Sequence, residues 1–248
     1  MLPGKRATGP ARGQDPQPDG PALWVRHRPE RIRAAVLTVH SGPAVGHGPS
    51  RPWQPEALRI RPVLRVAASA VPLDETLLGQ VRFRQRGWND GAAAIDVLRA
   101  LSELNRLAGD VPVVLLGHAM GGRAALRAAA HPQVLGVVAL APWLPAGEPV
   151  SPLTGRSVLI MRGDGVPTAE ETTEKVAEEV TMGYVAGARA AGARAGVLVV
   201  RNGGPWMLRR AAVWHRTAAS AVGQVMRPKA EHATLIQQGW RSSSPLVV

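Results

Sequence analysis

Short apolar runs of strand length alternate along this chain with longer stretches of helical spacing. Residues 34–39 (AAVLTV), 111–116 (VPVVLL), 134–140 (VLGVVAL), 156–162 (RSVLIMR) and 196–201 (GVLVVR) are apolar and rich in β-branched residues, as buried strands are. Residues 79–84 (GQVRFR) alternate and suit a strand too. Residues 91–107 carry Ile95, Leu98, Leu101 and Leu104 at helical spacing, which predicts an amphipathic helix. Pro62 suits a first helical position, so a helix with Val63, Leu64 and Val66 as its apolar members is expected to about Ala70. Residues 55–61 stay ambiguous, because Pro62 breaks any helix that runs through them. Thr168 with Glu171 matches a capping box, and Glu171 can pair with Lys175 one turn on. That helix is expected to reach about Ala191, with a weak point at Gly183 or Gly187. Residues 207–226 read as a closing helix that Pro228 ends.

This alternation implies an α/β fold: a mostly parallel, doubly wound sheet of six strands with helices on both faces. At 248 residues, one domain is expected. Residues 1–33 read as a disordered arm rich in Pro and Arg, residues 34–226 as the domain, and residues 227–248 as a polar C-terminal tail without structure.

Charge changes this picture little. The net charge of +12 comes almost wholly from scattered arginines, since lysine occurs only at Lys5, Lys175 and Lys229. No nucleic-acid motif accompanies it, so nucleic acid is not an expected partner. The basic arm leaves a protein partner open. The absence of cysteine excludes disulfides, a thiolate nucleophile and thiolate metal sites. No H-x-x-x-H or H-x-H spacing occurs, so no metal or other cofactor is expected. No run approaches a membrane span and the N-terminus lacks an apolar signal core, so a cytoplasmic protein is expected.

The most informative stretch is residues 111–130, VPVVLLGHAMGGRAALRAAA. An apolar strand meets Gly117, and an alanine-rich helical pattern follows, with Arg123 and Arg127 on its expected wet side. Strand, sharp turn and helix form the setting of a nucleophile elbow, G-x-S-x-G. Gly117, Gly121 and Gly122 suit the tight turn, but position 119 is alanine. On these residues the chain resembles the α/β-hydrolase superfamily, whose usual form here is G-H-S-M-G-G. A methyl group cannot attack a carbonyl, so Ala119 vacates the nucleophile position.

The resemblance implies the rest of a site. The His40, Ser41, Gly42 run after the first strand matches the loop that supplies a backbone donor to an oxyanion hole, with Ser41 where glycine is usual. The Met120 N–H would be the second donor. Asp164 matches the first aspartate of the G-D-x-D acid turn; the second aspartate, usually the catalytic one, is missing. Asp164 is therefore a displaced acid or a turn-capping residue. Pro205 and Trp206 stand where the catalytic histidine is expected, and Trp206 can fill the space an imidazole would leave. His118 is expected to be buried against the sheet, and His40 is the best placed proton carrier. Trp88 lies beyond a strand end and lines a pocket or anchors its loop. Residues 141–155 are too few for a lid domain, so a lidless form is expected.

Four functional readings follow. The favoured one is a protein that lacks the Ser-Asp-His triad and binds a small acyl or carbonyl compound without hydrolysing it. The second is a non-hydrolytic cyclase, lyase or isomerase that uses the retained oxyanion donors. The third is an esterase- or thioesterase-type hydrolase, and the fourth a partner-binding pseudoenzyme. The sequence does not name the ligand or the oligomeric state.

Overall fold

The structure, a computed structural model of the 248-residue chain, describes residues 20–165, 171–227 and 234–248, and in the helix that begins at Glu171 the side chains from residue 178. Eight strands form one sheet: β1 (Leu23–His27), β2 (Ala34–Val39), β3 (Thr76–Val81), β4 (Val113–His118), β5 (Val134–Leu140), β6 (Ser157–Gly163), β7 (Arg194–Val200) and β8 (Leu246–Val247). Their order is β1-β3-β2-β4-β5-β6-β7-β8, and every pairing is parallel except β1 with β3. The helices are α1 (Pro55–Arg59), α2 (Arg61–Ala67), α3 (Ala92–Ala108), α4 (Met120–Arg127), α5 (Glu171–Ala190), α6 (Ala211–Met226) and α7 (Leu235–Arg241).

The apolar runs are continuous because helices bury both faces of the sheet. Leu37, Leu115 and Val137 point to one core with Leu101 and Leu104 of α3, Leu126 of α4 and Val185 of α5. Their chain neighbours Val36, Leu116 and Val138 point to the other core, with Val63 of α2, Trp214 of α6 and Ile236 of α7. This doubly wound architecture is the expected one. Residues 141–156 add only the single turn Ser151–Leu153, so no lid domain is inserted there. Among the described residues, no helix is long and apolar enough to cross a membrane.

Several expectations need correction. The expected arm contains β1, whose first N–H groups are secured by Glu103: Ala22 and Leu23 donate to its two carboxylate oxygens at 2.7 and 2.9 Å. The expected tail contains α7 and β8. Thr234 caps α7 by accepting the Gln237 N–H, and Trp240 reaches into the sheet to donate to the Val158 carbonyl at 2.9 Å. Pro62 does not exclude a helix before it: α1 ends at Arg59 and α2 begins at Arg61. In α3, Ile95 and Leu98 face solvent, while Ala93, Val97 and Ala100 share the buried face with Leu101 and Leu104. The closing helix starts at Ala211, because positive φ at Met207 (57°) and Arg210 (60°) turns the chain first. The capping box at Thr168 and the Glu171–Lys175 pair lie outside the described residues.

Candidate functional site

β4 runs on through Gly117 and ends at His118, and the next residue, Ala119, has φ 49° and ψ −116°. Positive φ is costly for any residue with a Cβ, about 1–3 kcal/mol. Bonds on both sides hold it: Ala119 donates to the Leu140 carbonyl at 3.0 Å, and its own carbonyl accepts from Arg123 and Trp143, each at 3.2 Å. Tight approaches complete the elbow. A Cβ on Gly117 would lie 2.4 Å from the Gly121 carbonyl oxygen, and one on Gly121 would lie 2.2 Å from that of His40. α4 therefore starts in direct contact with the end of β2.

The loop after β2 is wedged against this helix start. A Cβ on Gly42 would lie 2.2 Å from the Arg86 carbonyl oxygen and 2.8 Å from Met120 Cε. The Trp88 N–H donates to the Pro43 carbonyl at 3.0 Å, and the Asn89 side chain bonds both backbone groups of Gly46 at 2.9 and 3.0 Å. Ser41, Gly42 and Met120 are thus held together. Among the described residues, their N–H groups donate to no protein acceptor.

His118 is buried, and its Nε2 lies 2.9 Å from the Pro205 carbonyl, so Nε2 carries the proton. Its Nδ1 is buried without a protein partner among the described residues. Burial lowers its pKa, the bond to Pro205 opposes this, and the charge of Arg59 lowers it further. His40 is buried on Phe83, and its Nδ1 donates to the Ser41 carbonyl at 2.7 Å. Burial dominates its lowered pKa as well, against that hydrogen bond and the charge of Glu56. Asp164 accepts the Asn202 N–H and so ties the ends of β6 and β7 together. No carboxylate bonds either histidine among the described residues.

Both histidines, with His131 and His215, stay neutral more readily in the folded chain than in the unfolded one. The unfolded chain therefore binds more protons, and stability rises with pH. It is fully present above the unfolded histidine pKa of 6.5 and is lost as pH falls below it. Urea denaturation between pH 8 and pH 5 (a range of about three units around that value) is expected to show this loss. Replacing His118 by asparagine reduces the slope; an unchanged slope would show that His118 contributes nothing to it.

Trp206 does not fill an imidazole-shaped space. It is 55% exposed with the Arg59 guanidinium 5.0 Å from its ring centroid, and Met207 turns inward in its place. Trp88 is buried and anchors its loop. Arg123, expected on the wet side of α4, is buried as well, 4.0 Å from the Trp88 ring centroid and 4.7 Å from that of Trp143. Glu148 is the partner the sequence reading missed. It accepts from Arg123 Nε at 2.7 Å and from Arg127 Nε, and its side chain is 1% exposed. The only signal for it was a single acid in a proline-rich loop. Among the described residues, no three His, Asp or Glu side chains are grouped to hold a metal ion.

The Ser41, Gly42 and Met120 N–H groups thus lie beside the start of α4, and among the described residues no carboxylate bonds His40 or His118. No family model and no curated protein sequence matches the chain. Solved structures do. An esterase from Pyrobaculum calidifontis aligns at TM-score 0.57 and 14% identity over 82% of this chain and 80% of that one. A serine hydrolase without a lid from Xanthomonas campestris aligns at TM-score 0.54 and 15% identity, over 87% of this chain and 94% of that one. Dienelactone hydrolase from Anabaena variabilis aligns at TM-score 0.54 and 18% identity, over 80% of this chain and 85% of that one. The sheet order, the elbow after its fourth strand and these neighbours together show that the chain has the α/β-hydrolase fold.

Proposed function

We propose that this protein binds a small acyl or carbonyl compound without hydrolysing it. The observation that carries the reading is the backbone of Ala119. The elbow keeps its strained φ and its close glycine contacts although no nucleophile is presented there. Strain persists where the surrounding structure over-determines it, and it clusters at functional sites. A ligand carbonyl oxygen would accept from the Met120 N–H and from the Ser41 or Gly42 N–H, and the positive end of α4 would favour its partial negative charge. Neither covalent step of a hydrolase follows, because a methyl group holds no lone pair.

The isomerase-type alternative needs a proton carrier beside these donors. Asp164 is engaged by Asn202, and His40 directs its Nδ1 proton to Ser41. The partner-binding alternative, with the basic arm or the tail as the contact, would be favoured by a pocket plugged by Trp206; Trp206 is exposed instead.

The test is ester and thioester hydrolysis by this chain beside its Ala119→Ser variant, with short and medium acyl chains. Both are expected at background, while short-chain ketones and thioesters quench tryptophan fluorescence saturably. Turnover by Ala119→Ser would overturn the reading in favour of a hydrolase that lacks only its nucleophile.

A further inference from the structure

The parallel strands all end on one side of the molecule, the side where the elbow lies. Two segments on that side share one composition. Residues 45–61, after β2, and residues 202–210, after β7, together hold five arginines and a single carboxylate, Glu56. Arg86 lies 3.6 Å from that carboxylate, so even its charge is matched.

The same segments expose large apolar side chains. Trp53 is 66% exposed and Leu208 71%, and Leu58 and Trp206 are exposed as well. Positive φ at Met207 accompanies a turn in which its side chain enters the core, while Trp206 and Leu208 on either side of it face solvent. Single exposed apolar residues are ordinary; a group of them marks a contact surface. The two segments also touch. The Arg59 guanidinium of α1 lies 5.0 Å from the Trp206 ring centroid and joins α1 to the turn after β7. Arg51 lies 5.6 Å from the Trp53 ring centroid, and Arg61 donates to the Pro52 carbonyl at 2.9 Å, which ties that loop to the start of α2.

Trp240 uses its indole N–H on the Val158 carbonyl, but those of Trp53 and Trp206 have no protein acceptor among the described residues. An indole with a free N–H beside a guanidinium suits the boundary between water and lipid. The ring enters the apolar side, its N–H meets headgroup oxygens, and the arginine reaches the phosphates. Arginines at such a boundary are drawn to anionic lipid. Both indoles stand on loops, as tips that a fluid interface accommodates without matching their shape. We propose that this side of the molecule docks on a bilayer surface carrying anionic lipid, with Trp53, Trp206 and Leu208 as anchors among Arg51, Arg59 and Arg209. The attachment is peripheral, since no described helix is long and apolar enough to cross a membrane. It turns the elbow toward the lipid, because Pro205, next to Trp206, bonds His118. The inference does not depend on what the elbow binds.

Cosedimentation of the full chain with vesicles of phosphatidylcholine containing roughly one third phosphatidylserine tests the surface. Saturable binding is expected, about tenfold or more weaker on pure phosphatidylcholine and falling as salt is raised. Arg51→Gln and Arg209→Gln are each expected to weaken binding about fivefold, the effect of one basic residue near an anionic surface. Trp206→Ala is expected to weaken it about tenfold, through lost apolar contact. Arg106→Gln removes the same charge from the last turn of α3, near the start of β4 on the opposite side, and is expected to leave binding within about twofold. All four replaced side chains are exposed, and Arg51→Gln carries the comparison if Trp206→Ala loses its fold by circular dichroism. No binding to either vesicle, equal binding to both, or an Arg106→Gln loss as large as that of Arg51→Gln would overturn the proposal. So would light scattering that shows, without lipid, a concentration-dependent dimer abolished by Trp206→Ala, which would make the patch a face between two copies.

Discussion

Replacing Glu148 by alanine is expected to cost about 3–5 kcal/mol of folding stability, the range seen when one partner of a buried ion pair is removed. The carboxylate is 1% exposed and serves two arginines at once. The side chain of Arg123 is only 10% exposed, so its charge would be left among two indole rings with no counter-ion. Cation–π attraction offsets part of that, about 2 kcal/mol when desolvated. Replacing Arg123 by methionine and Glu148 by leucine together is expected to cost much less than the sum of the two single changes. An apolar pair fills the volume without either desolvation penalty. Urea denaturation of the four proteins gives the coupling energy. A loss under about 1 kcal/mol for Glu148→Ala, the surface value, would mean that water reaches the cluster and the structural reading of Arg123 is wrong.

The second large effect is expected at Gly121. A methyl group there would meet the His40 and Val39 carbonyl oxygens at 2.2 and 2.3 Å, and both belong to the backbone at the end of a central strand, Val39 as its last residue and His40 just after it. Neither can move without breaking the ladder between β2 and β4. Gly121→Ala is therefore expected to destabilise by about 3 kcal/mol or more, at or beyond the upper end for overpacking. The same substitution at Gly183 in α5 provides the contrast. Nothing lies within 4 Å of a Cβ there, and its helical backbone suits alanine. Gly183→Ala is expected to raise stability by about 0.5–1 kcal/mol. Thermal melting of both variants separates the cases. A mild effect at Gly121 would show that α4 can lift off the end of β2.

These two sites also mark where the sequence was legible. The parallel strands and the elbow announce themselves, because a strand buried on both faces must be apolar throughout and a tight turn must contain glycine. Arg123 was misread because its environment comes from Trp88, Trp143 and Glu148, which lie far along the chain in loops without periodicity. Ile95 and Leu98 misled for the opposite reason: the larger residues of α3 suggested a stripe, while its small alanines mark much of the buried face. β1 and α7 were invisible because each lies in a segment whose composition is that of a tail. Their order comes from single long-range contacts, the Glu103 carboxylate and the Trp240 indole. The elbow backbone of Ala119 was inferable, but the outward turn of Trp206 was not, since it depends on the positive φ of Met207.

The lone antiparallel strand has a consequence for self-association. Without β1, β3 would be the edge of the sheet, and its residues are buried along its whole length. A flat, apolar, unpaired edge is a template on which a second copy can add a strand. β1 replaces it with a short strand that carries Arg26 and His27 and has a register irregularity between Val25 and His27, which interrupts regular pairing. The segment that composition marks as dispensable is, in the folded chain, the guard on that edge.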